Sequence, residues 1–358
     1  MRPETFIERQ KWSYEVKVAH AKRVAREFFD EITVNRGANV HVSVGGLDSI
    51  TLLMFVRKYV DRDIPGVSVS AVEDIGNQKI HKQLGVIELK PYKSMKEVLN
   101  EFGFPIISKE TAQRIGILQN PSSKNKKVRE SYITGWTGKK FNSFRKVPQK
   151  WLNLFAGLEN EKYGTNYKTA PFKVSADCCY YMKEKPCEDW AKEHNSFPYL
   201  GLMASEGGRR EKSLMINGCN YYGKTTTRSC PFAIFTRQDL LQLALDLEVP
   251  VPSAYGEIAR KEDGTLYTTK AQRTGCSMCG FGIHIEKRPH RFDRLKEKNP
   301  RAWEYWLKEC VTDPETGERY GWGKVLDYIG VEWENPIGQI KGQLTIAEYE
   351  RQRAGGER

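Results

Sequence analysis

Residues 40–55 read VHVSVGGLDSITLLMF, in which a polar segment with two glycines separates two apolar runs. The valine-rich residues 38–44 are typical of a strand that is buried on both faces. From Ser49 onward the apolar residues recur with helical spacing, and Asp48 or Ser49 suits the N-cap. A strand, a glycine loop and a helix direct backbone N–H groups toward one point and so favour phosphate binding. We predict a phosphate loop at residues 44–49; the alternative is a tight turn without a ligand.

A second strand and helix follow this loop. Residues 66–72, GVSVSAV, indicate a strand, and the segment from 73 to 85 has a helical pattern that ends at a glycine. Alternating strands and helices predict an α/β fold with a doubly wound parallel sheet, whose ligands bind at the carboxyl ends of the strands. A long amphipathic helix is expected at residues 8–32, before the sheet, and more helix after residue 285.

Composition limits the classes of protein and partner. Hydrophobic residues make up 39% of the 358 residues, and no apolar run reaches the length of about 18 residues that suggests a membrane span. The first residues lack the apolar core of a signal peptide, so we expect a cytoplasmic protein without a membrane partner. There the eight cysteines are better metal ligands or catalytic thiols than disulfides. The net charge of +12 favours a polyanionic partner.

Five cysteines fall in two short segments. DCCYYMKEKPC holds Cys178, Cys179 and Cys187, and RTGCSMCGFG holds Cys276 and Cys279. A C-x-x-C turn alone could be redox-active, zinc-binding or inert. Together with the distant Cys-Cys pair it can supply four thiolates to zinc or to an iron–sulfur cluster, with Cys187 as a substitute for one of the pair.

The segment 121–150 combines basic and aromatic residues. It has one acid, Glu130, against nine cations, which are Lys124, Lys126, Lys127, Arg129, Lys139, Lys140, Arg145, Lys146 and Lys150. Tyr132, Trp136, Phe141 and Phe144 lie among them. This mixture suits a nucleic-acid backbone and its exposed bases. The alternative is a solvated loop.

The glycine loop resembles the S-G-G-x-D-S pyrophosphate loop of ATP pyrophosphatases and PAPS (phosphoadenosine phosphosulfate) reductases. Val44 stands at the place of the family's first serine, and Leu47 at the place of a lysine common in the reductases. The resemblance implies a Rossmann-like, adenine nucleotide alpha-hydrolase-like fold in which the loop holds the pyrophosphate of ATP. It also implies that the end of the second strand, with Ser68 and Ser70, receives the adenine.

The cysteine pattern and two further segments resemble the same superfamily. Cys-Cys with C-x-x-C, and Lys183 after the pair, is similar to the 4Fe–4S site of adenylylsulfate reductases, which implies a cluster on Cys178, Cys179, Cys276 and Cys279; zinc is the alternative. LMASEGGRR, at residues 202–210, resembles the family's G-I-R-A-x-E-S-x-x-R segment, although Met203 replaces its earlier arginine. The resemblance implies catalytic roles for Asp48, Arg209 and Arg210, and nucleotide contacts by Val44, Gly45, Gly46, Leu47, Asp48, Ser49, Ser68, Ser70, Glu206 and Arg273.

The expected function depends on a cysteine that sulfonucleotide reductases need and that this sequence lacks. Sulfonucleotide reductases need a cysteine near the C-terminus in an E-C-G-x-H setting, whereas the last cysteine here, Cys310, lacks that setting. The chain is therefore more similar to the branch with DNA-phosphorothioation proteins and nucleic-acid thiolases. That resemblance implies an enzyme that uses ATP and Mg²⁺ to adenylate an acceptor for sulfur transfer, with DNA, tRNA or associated modification proteins as partners. The alternatives are a reductase that uses an external thiol and a non-catalytic nucleic-acid-binding factor with a structural metal.

Three segments are expected along the chain. A helical segment covers residues 1–37, and a PAPS reductase-like nucleotide-binding domain covers 38–285, with a basic insertion at about 110–165 and the metal site within 178–279. Residues 286–358 form a helical region with a polar tail. The oligomeric state is not predicted by the sequence.

Overall fold

The computed structural model describes residues 3–276 and 278–335. Its α-helices are Pro3–Gln10 (α1), Tyr14–Asp30 (α2), Leu47–Tyr59 (α3), Ile75–Gln83 (α4), Met95–Glu101 (α5), Lys109–Gln119 (α6), Lys126–Thr134 (α7), Gln149–Phe155 (α8), Asn160–Tyr163 (α9), Lys185–Glu193 (α10), Gly208–Asn217 (α11), Arg237–Asp246 (α12), Arg291–Lys298 (α13), Pro300–Lys308 (α14) and Trp322–Ile329 (α15). Short 3₁₀ turns lie at Ser70–Val72, Gly157–Glu159, Ala204–Glu206 and Ile283–Ile285, and π-helical turns at Glu31–Asn35 and Tyr180–Glu184.

The strands are short. They are Asn39–Ser43 (β1), Gly66–Ser68 (β2), Ile87–Glu88 (β3), Ile106–Ile107 (β4), Trp136–Thr137 (β5), Lys140–Phe141 (β6), Ser196–Tyr199 (β7), Asn220–Tyr222 (β8), Thr227–Ser229 (β9), Ile258–Arg260 (β10), Leu266–Thr268 (β11), Gly280–Phe281 (β12), Val311–Thr312 (β13) and Arg319–Tyr320 (β14). The expected strand at 38–44 is confirmed as β1. The expected strand at 66–72 is shorter, because the chain turns into a 3₁₀ helix at Ser70.

The chain forms two compact units, each from two separate segments. The first unit takes residues 1–92 and 181–277, and the second takes 93–180 and 278–358, as far as these are described. The units do not coincide with the three segments expected from the sequence, because the chain leaves the first unit after residue 92 and returns at 181. The predicted polar tail beyond residue 335 lies outside the described residues.

The first unit is built on a sheet with the strand order β3-β2-β1-β7-β9-β8. All neighbours pair in parallel except β8 and β9, which are antiparallel. The central strand β1 pairs with β2 on one side and with β7 on the other, so that Val42 lies opposite both Gly66 and Tyr199. The α/β fold with a mainly parallel sheet is confirmed.

Both faces of this sheet are covered. On one face of β1, His41 is buried and meets Trp190 of α10 edge-on, with ring centroids 5.2 Å apart. On the other face Val40 and Val42 join an apolar core with residues of α2, α3 and α12. Because adjacent strand residues point to opposite faces, helices pack on both sides of the sheet, as in a doubly wound fold.

Two local expectations were wrong. The helix expected at residues 8–32 is divided, because Ser13 accepts a hydrogen bond from Val16 N and begins a new helix, α2. The N-cap of α3 is Gly46, without a side-chain cap, instead of Asp48 or Ser49. The Asp48 side chain instead accepts a hydrogen bond from Arg237, and the Ser49 hydroxyl accepts one from Gly45 N.

The second unit has its own aromatic core. Phe104 meets Trp322 edge-on at 5.0 Å between ring centroids, and Phe172 meets Tyr328 edge-on at 5.3 Å. Helices α13, α14 and α15 follow residue 285, which confirms the helix expected there. No helix in the described part of the chain is long and apolar enough to span a membrane.

The capping box of α12 gives a stability prediction. Thr236 Oγ1 accepts a hydrogen bond from Asp239 N at 3.3 Å, and Asp239 Oδ2 accepts one from Thr236 N at 2.7 Å. Thr236→Ala should lower the free energy of unfolding by about 1 kcal/mol, whereas Thr236→Ser should retain most of it. Urea titrations of the two variants would show the difference, and equal stabilities would contradict a role for the hydroxyl.

Candidate functional site

A cavity of about 460 Å³ lies in the first unit, where β1, β2 and β7 end. Strands β2 and β3 follow β1 on one side of it, whereas β7 and the later strands lie on its other side. Open α/β sheets bind ligands at such a reversal of strand order. The volume is that of a small-molecule site. Nine residues predicted to be catalytic or to contact the nucleotide line it, namely Val44, Gly45, Gly46, Asp48, Ser49, Ser68, Glu206, Arg210 and Arg273. Leu47 is buried in the core and Ser70 is buried against a histidine, and neither lines the cavity.

The loop from Val44 to Ser49 is held by its own hydrogen bonds. Ser49 Oγ accepts from Gly45 N at 2.7 Å and donates to Gly46 O at 2.9 Å. The N–H of Leu47 donates to the Tyr255 hydroxyl at 3.2 Å. Among the described residues, Gly46 N and Asp48 N donate no hydrogen bond. These two donors remain for an anion at the N-terminus of α3.

Tyr255 packs directly on this loop. A Cβ at Gly46 would lie 2.3 Å from the Tyr255 hydroxyl oxygen and 3.0 Å from Thr274 Oγ1. The Tyr255 and Thr274 oxygens are themselves 2.9 Å apart and share a hydrogen bond. Glycine at position 46 is therefore required by this close approach, since the backbone angle φ of −88° would suit any residue.

Asp48 forms an ion pair that the sequence did not predict. Its carboxylate accepts a hydrogen bond from Arg237 Nη1, and Arg237 Nη2 donates to Gln272 O at 3.1 Å. Burial raises the pKa of Asp48 above its ordinary value, and the Arg237 charge opposes this rise. The one local signal for Arg237 is its place directly after Thr236, the N-cap of α12.

Glu206 holds two arginines at the cavity. Its side chain is only 4% exposed, and it forms ion pairs with Arg210 and, at 3.5 Å, with Arg273. Both arginine side chains remain more than half exposed, at 52% and 61%. Each guanidinium thus has donors left for an anion. Arg209 belongs to α11, but its side chain lies outside the described part.

A third carboxylate lies next to the glycine loop. Glu73, which the sequence analysis missed, forms an ion pair with Lys183, and a Cβ at Gly45 would lie 3.4 Å from Glu73 Oε1. Burial opposes the charge of Lys183, but the Cys276 sulfur and the Glu73 carboxylate hold its pKa above the ordinary value. The signal for Glu73 was an acidic residue shortly after a strand of the parallel sheet.

Ser68 and Ser70 have different surroundings. Ser68 lines the cavity, whereas Ser70 Oγ lies 2.8 Å from His81 Nδ1. His81 Nε2 lies 2.7 Å from Gly45 O, and a carbonyl only accepts, so Nε2 carries the proton and Nδ1 accepts from Ser70. Burial lowers the pKa of His81, which favours this neutral form. Ser70 thus supports the loop through His81.

The predicted metal ligands are distributed over both units. Cys178, Cys179 and Cys279 belong to the second unit, and Cys276 belongs to the first. The sulfurs of Cys178 and Cys179 are 4.0 Å apart. The alternate ligand Cys187 lines the cavity, and burial raises its pKa to about 11.

The residue types fit a cluster. Thiolates are the ligands that iron–sulfur clusters and structural zinc prefer. Within residues 3–276 and 278–335, no three His, Cys, Asp or Glu side chains are grouped so that they could hold a metal ion. The cluster therefore stays a prediction from the sequence.

The contact between Gly46 and Tyr255 can be tested by a double-mutant cycle. Gly46→Ala should destabilise the fold by roughly 1–3 kcal/mol through overpacking. Tyr255→Phe removes the obstructing oxygen and leaves the ring carbon Cζ 3.5 Å from the new methyl group. The double variant should thus lose less stability than the sum of the single variants, measured by chemical denaturation. Strict additivity would contradict the contact.

The cluster prediction has a direct test. Protein purified without oxygen should contain about four iron and four sulfide per chain, and Cys276→Ser and Cys279→Ser should each lose both. Cys219→Ala is the control, since this buried thiol lies in the core of the first unit. Stoichiometric zinc without sulfide would show that the cluster prediction is wrong.

Comparisons with known proteins do not identify a family for this chain. No protein-family profile matches the chain, and no curated protein matches it. Among solved structures it is similar to the U34-tRNA thiolase NcsA from Methanococcus maripaludis with its 4Fe–4S cluster, at 13% identity, with 88% of each chain covered and a TM-score of 0.29. At this TM-score the similarity supports no argument about fold or activity.

Proposed function

We propose that the first unit binds ATP and transfers its adenylyl group to an acceptor, which prepares that acceptor for sulfur transfer. The observation that carries this proposal is the position of the glycine loop. It lies at the carboxyl end of β1, beside the change of strand order, and borders a cavity with both cations and carboxylates. Phosphate groups need such donors and cations, and an adenosine needs a cavity of this size.

The phosphates would lie against the loop. Gly46 N and Asp48 N are the donors left there, and the N-terminus of α3 adds its partial positive charge. Arg210 and Arg273 would bind phosphate oxygens with the donors that Glu206 does not use. Because Glu206 is buried, it fixes the position of both guanidinium groups before the ligand arrives. The adenine would lie toward Ser68, at the end of β2.

Magnesium fits the carboxylates of the cavity. Mg²⁺ is commonly held by one or two carboxylates together with phosphate oxygens, so a complete protein ligand set is not required. Asp48 and Glu206 line the cavity and are the candidate ligands. When bound, the ion would offset phosphate charge.

The proposed reaction has two stages. An acceptor oxygen attacks the α-phosphorus, the bond from that phosphorus to the bridging oxygen breaks, and pyrophosphate leaves with the electron pair. The acceptor then carries AMP on its oxygen. A sulfide then attacks the activated carbon of the acceptor; a carbon–sulfur bond forms, the carbon–oxygen bond to AMP breaks, and AMP leaves with the electron pair. In the first stage Lys183, Arg210 and Arg273 would stabilise the charge that develops on pyrophosphate.

Cys310 gives a specific argument against a reductase that uses the chain's own last thiol. The residue is 1% exposed, its sulfur donates to Trp306 O at 3.2 Å, and burial raises its pKa to about 12. A nucleophilic cysteine needs a lowered pKa and access to its substrate. A reductase with an external thiol and a non-catalytic binding factor are the other candidates that the following experiment separates.

The test is ATP binding together with pyrophosphate release. The protein should bind α,β-methylene-ATP, and Arg210→Gln should weaken this binding about tenfold or more through the loss of a charged hydrogen bond to phosphate. Arg62→Gln is the matched control, because this arginine is 90% exposed in its side chain and does not line the cavity. Pyrophosphate release should appear when ATP is supplied with bulk tRNA or DNA, and Asp48→Asn should reduce it.

The Val44→Ser variant tests the position at which the glycine loop differs from the S-G-G-x-D-S loop of the resembling family. Val44 borders the cavity, and a serine there restores the hydroxyl of the resembling S-G-G-x-D-S loop. If the backbone donors suffice, this variant should release pyrophosphate at the wild-type rate; a faster rate would show that the missing hydroxyl limits turnover. Absence of ATP binding in both folded proteins would overturn the proposal and favour the binding factor. Adenylylsulfate turnover with added thiol, without ATP turnover, would favour the reductase.

A further inference from the structure

A short hairpin projects from the second unit. Strands β5 and β6 pair antiparallel, with Trp136 opposite Phe141 and Thr137 opposite Lys140. Gly138 begins the two-residue turn with a φ of +68°, which favours glycine at the first turn position. Behind the hairpin, Asn142 N donates to Gly135 O at 2.8 Å. The hairpin is therefore a defined element within the basic segment.

The hairpin carries two exposed aromatic rings on one face. Trp136 is 52% exposed and Phe141 is 56% exposed. As directly opposed residues they point to the same face, and their ring centroids lie 5.7 Å apart at 62°. A Cβ at Gly135 would lie 2.7 Å from the Phe141 ring, so glycine there lets the ring lie against the backbone. Large aromatic side chains left in solvent at a defined position indicate an interaction surface.

Four cations of this segment fall into two groups. Arg129 is engaged with the buried Glu159, and Arg145 lies over the Tyr132 ring at 5.7 Å, so both serve the fold of the second unit. Lys139 in the turn and Lys140 in β6 are exposed and form no ion pair with a carboxylate among the described residues. Next to its two aromatic rings the hairpin thus carries two positive charges that no described carboxylate neutralises.

We propose that this hairpin binds single-stranded nucleic acid, with unpaired bases stacked on Trp136 and Phe141 and phosphates contacted by Lys139 and Lys140. The excess of positive charge complements a polyanion, and the rings offer surfaces on which any base can stack. In a duplex both faces of each base are already covered by neighbouring bases, so exposed rings select unpaired nucleotides. The proposal does not depend on the ATP reaction, because the residues that carry it belong to the second unit.

Binding of a labelled oligothymidylate of about 20 nucleotides tests the proposal, in fluorescence anisotropy at several salt concentrations. The full chain should bind this probe more tightly than a duplex of equal length. Trp136→Ala with Phe141→Ala should weaken binding about tenfold or more, since two stacked bases are lost. Trp136→Phe should retain most of the affinity, because it keeps a ring. Thermal unfolding would establish that each variant is folded.

Variants in which lysines are replaced by glutamine distinguish direct contacts with phosphate groups from non-specific attraction of a polyanion. Lys139→Gln with Lys140→Gln should reduce the slope of log affinity against log salt by about 1.4, at about 0.7 per phosphate contact on a single strand. Lys287→Gln with Lys298→Gln is the matched control, as both lysines are exposed in the same unit. An equal loss of slope in the control, or unchanged affinity in the double alanine variant, would overturn the proposal. Equally tight binding of polyglutamate would also overturn it, because it would show a general polyanion surface.

Discussion

The contact of the Tyr255 hydroxyl with the glycine loop is the constraint on which the rest of the site depends. This hydroxyl accepts from Leu47 N, shares a hydrogen bond with Thr274 and leaves no room for a side chain at Gly46. The loop is thereby fixed from outside its own sequence, across more than 200 residues. Because its position is set before any ligand binds, Gly46 N and Asp48 N need little rearrangement to meet an anion.

Ion pairs around the cavity likewise fix the positions of charged groups before a ligand binds. Glu206 with its arginines, Glu73 with Lys183 and Asp48 with Arg237 each combine a half-buried or buried carboxylate with a cation. Such pairs add little net stability, since desolvation offsets most of their attraction. They do hold cations in defined positions and leave some of their donors available. The cavity can therefore receive a polyanion although it contains several carboxylates.

The strand, loop and helix at residues 39–59 could be predicted, because valine content, glycines and helical spacing are local signals. Thr236, directly before the apolar stripe of α12, is a local signal of the same kind. The roles of Arg237, Glu73 and Tyr255 could not be read from their neighbours in the chain, since each acts on the loop through a contact that only the fold creates. The predicted N-cap of α3 was wrong, because the Asp48 side chain accepts a hydrogen bond from Arg237 and the Ser49 hydroxyl accepts one from the loop backbone. The short β5–β6 hairpin has too few residues for a periodic pattern.

The division of the first unit into two segments has a consequence for the order of synthesis. Strand β1 lies between β2, which follows soon after it, and β7, which is encoded some 150 residues later. While the ribosome extends the chain through residues 93–180, one edge of β1 and half of the cavity wall are missing. The nascent segment then exposes an unpaired strand edge and apolar surface, the features that attract chaperones and promote aggregation. A chain released before residue 255 would lack the Tyr255 hydroxyl, which accepts from Leu47 N, and could not complete the loop.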